Sequence, residues 1–154
     1  MKITMACMGL AAALGAGNAH NAYAQAKPDT LVVERQAAMT LQGKYLYALL
    51  PMAQGKIPFD ARLVARNVNY LEALTQMPWD GFTPETANTT LKTRAMPEIY
   101  KDPAAFRSRA EAMRAEVAKL KGVVKAGNEA TIKEGIVELN RSCNACHDQF
   151  RAKR

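Results

Sequence analysis

The chain closes on ELNRSCNACHDQFRAKR, where Cys143, Cys146 and His147 fall within five residues of one another. Two thiols and an imidazole so spaced can form a disulfide, hold a metal ion or attach a cofactor, and the three chemistries make different demands. A bridge between cysteines three apart on a helix closes a tiny loop and constrains almost nothing. A dithiol redox pair favours a helix N-terminus, where the dipole lowers the thiol pKa, whereas this pair stands near a C-terminus. Structural zinc wants four ligands, and no carboxylate stands out to complete two sulfurs and one imidazole. The third chemistry uses every part of the spacing. In C-x-x-C-H the thiols add across the two vinyl groups of a haem and the adjacent imidazole ligates the iron, so Cys143-Asn144-Ala145-Cys146-His147 reads as the attachment of one haem c.

The remaining Cys and His, Cys7 and His20, lie in MKITMACMGLAAALGAGNAHNAYAQ. This segment has one lysine, an apolar run and a small-x-small pattern at Ala22-Tyr23-Ala24, the layout of a secretory signal peptide over residues 1–24. Its cleavage predicts an exported protein and leaves residues 25–154, about 130 residues and the size of one domain with a real core. It also removes Lys2 from a net charge of +7. Basic residues are scattered rather than clustered and aromatics make up 6% of the chain, which argues against nucleic-acid binding. No segment approaches the roughly 20 apolar residues of a spanning helix, so the protein is not expected to be membrane-embedded.

Four helical segments must position the motif. The first is expected over about Asp29–Ala53, capped by Asp29 or Thr30, with Val32, Met39, Leu46 and Ala53 every seven residues and Gln36, Gly43 and Leu50 between them. GKIPFD breaks it. The second starts near Asp60 and aligns Leu63 or Val64, Asn67, Leu71 and Leu74 until QMPWDGFTPET stops it. A long polar connection follows, whose length suggests a crossover from one end of the fold to the other. Asp102 and Pro103 open the third helix, with Phe106, Ala110, Met113, Val117, Leu120 and Val124 as its seam. KAGNEA ends it, and the fourth repeats the device with Ile132, Ile136, Leu139, Cys143, Cys146 and Phe150. This predicts an all-α protein, an antiparallel four-helix bundle with one long connection between helices 2 and 3. A buried macrocycle would also fill volume that so few aromatics leave open.

The chain resembles the class II cytochromes c, which comprise cytochrome c′ and its low-spin relatives. The likeness is carried by ERQAAMTL, GKIPFDA, MPWDGF, MPEIYKDPAAF and CNACHDQFR, and spans essentially the whole mature chain. It implies a periplasmic four-helix bundle with His147 as proximal iron ligand. Within that family the opposite face of the iron carries either a non-ligating side chain, leaving a five-coordinate centre open to NO or CO, or a methionine that closes the sixth site. The resemblance sets Met39 there. Met/His ligation raises the potential and suits one-electron transfer, which makes electron transfer the expected work, with a five-coordinate NO- or CO-binding protein as the alternative. Met39 as plain core filling is the competing structural role.

The resemblance also implies that Arg35 pairs with a haem propionate, against an ordinary solvated arginine. It sets Arg151 near the proximal face, against the ordinary attraction of a helix C-terminus for cations, and Trp79 is expected to pack against the haem edge or the second helix. No catalytic base, nucleophile or second metal stands out, so no enzymatic turnover is expected. Expected partners are periplasmic redox proteins of acidic surface, met by a positive rim. Homodimerisation through the first two helices, frequent in the family, is a further expectation.

Overall fold

The structure is a computed structural model that describes residues 27–153, so the signal-peptide expectation lies outside the described residues. Four long helices carry the fold: α1 (Pro28–Tyr47), α3 (Ala61–Leu74), α5 (Pro103–Ala126) and α6 (Glu129–Phe150). Two short ones, α2 (Leu50–Ala53) and α4 (Glu98–Lys101), attach to them. No strand occurs among the described residues beyond an isolated bridge between Ala95 and Arg151.

Local chemistry sets most of the helix ends. The Asp60 carboxylate accepts from Arg62 and Leu63 N–H, that of Asp102 from Ala105, and the Asn128 side chain from Thr131, satisfying amides that have no intrahelical partner. Gly127 ends α5 at φ 77°, the left-handed conformation that glycine adopts without a Cβ penalty. The first segment differs from expectation. Its cap is Lys27, with Pro28 in the first turn and no side-chain bond, and Asp29 instead accepts from Thr89 at 2.6 Å. The helix also stops at Tyr47 rather than reaching Ala53, because Pro51 has no N–H to continue the ladder and its ring crowds the preceding turn. The inward stripe is Val32, Arg35, Ala38 and Leu46, while Gln36, placed inward by the heptad reading, is exposed and donates to the Lys92 carbonyl.

The core runs through Leu46, Leu49, Val64, Val68, Leu71, Val117, Leu120, Ile136 and Leu139, all nearly inaccessible. α1 packs along α3, α3 against α5 and α5 along α6. Gln42 meets Leu74 while Tyr45 meets Asn67, so α1 and α3 run in opposite senses, and the pairings of Trp79 with Phe106 and Phe106 with Phe150 do the same for α3, α5 and α6. This is the antiparallel four-helix bundle that the apolar periodicity predicts.

That register overturns the crossover. The connection from Thr75 to Asp102 leaves α3 and enters α5 at the same end of the bundle, and its length is spent covering that end. It runs through two 3₁₀ turns, Trp79–Gly81 and Pro84–Asn88, and through α4. The Thr93 and Thr89 hydroxyls meet α1, and Met96 N–H donates to the Phe150 carbonyl at 3.0 Å. The N-termini of α1 and α5 and the C-termini of α3 and α6 therefore share one capped end, which is also the end of the C-x-x-C-H segment.

Candidate functional site

The geometry of a helix explains why the motif faces one way. Cys143 and His147 are one turn apart on the same side of α6, and Cys146 lies about 60° round the axis from Cys143. All three are half-buried, because the stripe that continues Ile132, Ile136 and Leu139 carries them against α5. The two cysteines are not bridged to each other.

Burial governs their chemistry. It pushes the Cys143 thiol up to about 11, with the neighbouring Cys146 adding to the effect. Cys146 is raised for the same reason, against the opposing pull of the Arg109 cation. His147 goes the other way. Burial first, then the cations of Arg151 and Arg94, hold its imidazole below the usual histidine range, with Asp148 opposing them. A neutral imidazole keeps the lone pair a metal needs. Arg151, the C-cap of α6, brings its guanidinium within 3.3 Å of His147 Nδ1, which leaves Nε2 as the nitrogen to reach an iron.

A cleft of about 410 Å³ opens at the same height, lined by Trp79, Phe82, Tyr100, Phe106, Arg107 and Arg114 among others. Phe106 bridges this cleft to Phe150 at 5.2 Å between ring centroids, one turn beyond Cys146. Trp79 packs edge-on against Phe106 while its Nε1–H donates to the Thr75 carbonyl at 2.7 Å. That bond ties it to the end of α3.

Arg35 is the site residue whose setting departs furthest from an ordinary solvated arginine. Its side chain is 3% exposed. The guanidinium lies 4.4 Å from the centroid of Phe82 and donates to the Gly81 carbonyl, to Thr86 Oγ1 at 3.1 Å and to the Tyr100 hydroxyl at 3.2 Å, with Thr93 Oγ1 at 3.4 Å. Among the described residues no carboxylate stands within ion-pair distance of it. A buried cation compensated only by neutral acceptors is costly, and this one lies against Phe82 and Tyr100, two residues that line the cleft. Met39, one turn further along α1, is half-buried between Arg35 and Gln42.

Thr86, Thr93 and Tyr100 were not legible as site residues. They stand 51, 58 and 65 positions from Arg35, and the threonine-rich connection is their sole trace in the sequence.

The residues present fit a covalent haem: two thiols and a neutral imidazole on one helical face, an aromatic cleft beside them and a buried cation with no anion of its own. Comparison with known proteins agrees. The family described as Cytochrome C′ matches residues 30–151. The cytochrome c′ of Rubrivivax gelatinosus is 36% identical over 127 residues, covering 82% of this chain and 98% of that protein. Its crystal structure superposes with a TM-score of 0.78 over 82% of this chain and 98% of that one. A nitric oxide complex of a leucine-to-alanine mutant of the Alcaligenes xylosoxidans cytochrome c′ superposes at 0.76, with 33% identity, 84% of this chain and 98% of that one. The chain belongs to the cytochrome c′ family and carries one haem c through Cys143 and Cys146.

Proposed function

We propose that this chain is a periplasmic haem protein that binds NO or CO at an iron held by His147 and left open on its other face, beside Met39. The observation that carries this reading is the near-full-length match to cytochromes c′, among them a neighbour of TM-score 0.76 described as a nitric oxide complex. When bound, the haem supplies an iron that takes a diatomic ligand. The chain's own residues do the rest. Cys143 and Cys146 fix the macrocycle to α6, and His147 offers a neutral nitrogen to the iron. Arg35 gives a haem carboxylate a buried cation, while Trp79 and Phe106 exclude water from the cleft. We assign no turnover chemistry to these groups.

The second reading is electron transfer with Met39 closing the sixth position, and it rests on the residue itself, since a thioether is a competent ligand for haem iron. Absorption spectra separate the two. A five-coordinate site gives a high-spin ferric spectrum that Met39→Leu leaves unchanged, and rapid CO binding after reduction. A low-spin ferric spectrum that Met39→Leu converts to high-spin, with slow CO uptake in the unaltered protein, would replace the first reading by the second.

The leader-like N-terminus supports the periplasmic location, and the excess of cations supports docking to acidic redox proteins. Val33, Leu41, Tyr47 and Tyr70, which α1 and α3 turn to solvent, support pairing of two copies through these helices.

A further inference from the structure

The Arg35 guanidinium is held by a carbonyl and a cluster of hydroxyls drawn from the connection and α4. Thr86 Oγ1 has one proton and three neighbouring oxygens: the Thr83 carbonyl at 2.8 Å, the Gly81 carbonyl at 3.1 Å and the Tyr100 hydroxyl at 3.1 Å. The Thr83 carbonyl is the shortest of the three contacts. Arg35 NH1 brings two protons to three acceptors, the Gly81 carbonyl, Thr86 Oγ1 and the Tyr100 hydroxyl, so the two hydroxyls share the proton that the carbonyl leaves. Tyr100 itself is fixed independently of this contact. It sits in α4, which is anchored by the buried Ile99 and packs against both α5 and α6. The phenol thereby ties the cation of α1 to the two helices that carry Phe106 and the haem-attachment motif.

We infer that Tyr100, acting with Thr86, is a positioning residue: its hydroxyl holds the Arg35 guanidinium at a fixed place beside the cleft and so sets the field that this cation exerts on the haem. The inference rests on the proposed pairing of Arg35 with a haem carboxylate. A cation held close in a low-dielectric site favours the electron-rich ferrous state, and one released toward water is screened. The alternative role for Tyr100 is packing alone, and Tyr100→Phe keeps the ring that lines the cleft while removing only the hydroxyl.

The test is the reduction potential of the holoprotein by spectroelectrochemical titration, with the urea midpoint measured alongside, for Arg35→Gln, Tyr100→Phe, Thr86→Val and the Arg35→Gln/Tyr100→Phe pair. Arg35→Gln is expected to lower the potential. Tyr100→Phe and Thr86→Val should shift it in the same direction by a smaller amount. Adding Tyr100→Phe to Arg35→Gln should produce no further shift, because the phenol acts through the guanidinium. If Arg35→Gln leaves the potential unchanged, the pairing of Arg35 with the haem is what fails, and the inference falls with it. If Arg35→Gln lowers the potential but Tyr100→Phe changes only the urea midpoint, or shifts the potential equally with and without Arg35, the pairing stands and the positioning role is overturned.

Discussion

A thiol that burial holds protonated is a poor nucleophile, and Cys143 is such a thiol in the folded polypeptide before haem is attached. The consequence for stability has a definite sign. Unfolded, Cys143 ionises near its ordinary value of 9.0, whereas the folded environment raises it to about 11. Below 9.0 both states keep the proton and the folded state has its full stability. As pH rises toward 11 the unfolded chain releases its proton first, so the native state loses stability across that window. The urea midpoint of haem-free chain, followed by circular dichroism, should therefore fall between pH 9 and 11 more steeply than that of Cys143→Ala. Equal slopes in the two proteins would remove Cys143 as the cause. The same shift makes carboxymethylation of the folded haem-free chain at pH 8 slower than that of the urea-unfolded chain, because thiolate is the reacting species.

Among the elements, the turn Trp79–Gly81 is the most tightly constrained by what lies against it. A Cβ on Gly81 would stand 2.7 Å from the Leu31 carbonyl oxygen and 2.8 Å from Arg35 Cβ. Both atoms belong to the α1 rod and cannot yield without moving the helix. Gly81→Ala is expected to cost about 1–3 kcal/mol, the range for overpacking a filled site, read as a lower urea midpoint. An unchanged midpoint would mean that the turn and α1 are not in close contact. Asp102→Ala, which strips the cap of α5, should cost about 1 kcal/mol. These caps are also what made the helices readable. Asp60 and Asp102 with Pro103 are local signals from which the starts of α3 and α5 follow, and the glycine of KAGNEA marks the end of α5. The break before Pro51 was missed because the seven-residue repeat of Val32, Met39, Leu46 and Ala53 continues through it, although the backbone cannot. The crossover was misread because length alone does not say where a connection ends. It took the meeting of Trp79 with Phe106 to show that both ends of the segment lie together. At the site, spacing gave the attachment residues, since their chemistry is contained in five consecutive positions. The burial of Arg35 depends on four acceptors brought from a distant segment, and no local pattern encodes that.

At the scale of the whole molecule the governing quantity is charge. Against a net charge of +7, the ion pairs among the described residues are mostly within one helix, with the Lys121–Glu72 contact between α5 and α3 the exception. Their members are largely solvent-facing, so each contributes little to stability. The cations left over matter for what approaches. Arg107 and Arg114 line the cleft, Arg109 lies beside Cys146, and Arg151 lies beside His147. The end of the bundle that holds the haem attachment is therefore edged by guanidinium groups, and long-range attraction acts there before any specific contact forms. Electron exchange between the reduced holoprotein and an anionic metal complex, followed by stopped flow, should slow as salt is raised. Exchange with a cationic complex of similar potential should quicken. Most of the change should come below about 0.1 M, where the screening length exceeds roughly 10 Å. Placement can be tested along with sign. Arg107→Glu and Arg109→Glu should weaken the salt response, whereas Lys125→Glu, in the last turn of α5 at the opposite end of the bundle, should alter it much less. If all three substitutions act equally, net charge rather than the cationic edge steers the encounter. A flat response to salt with both complexes would mean that reagents reach the haem by a route the guanidinium groups do not influence.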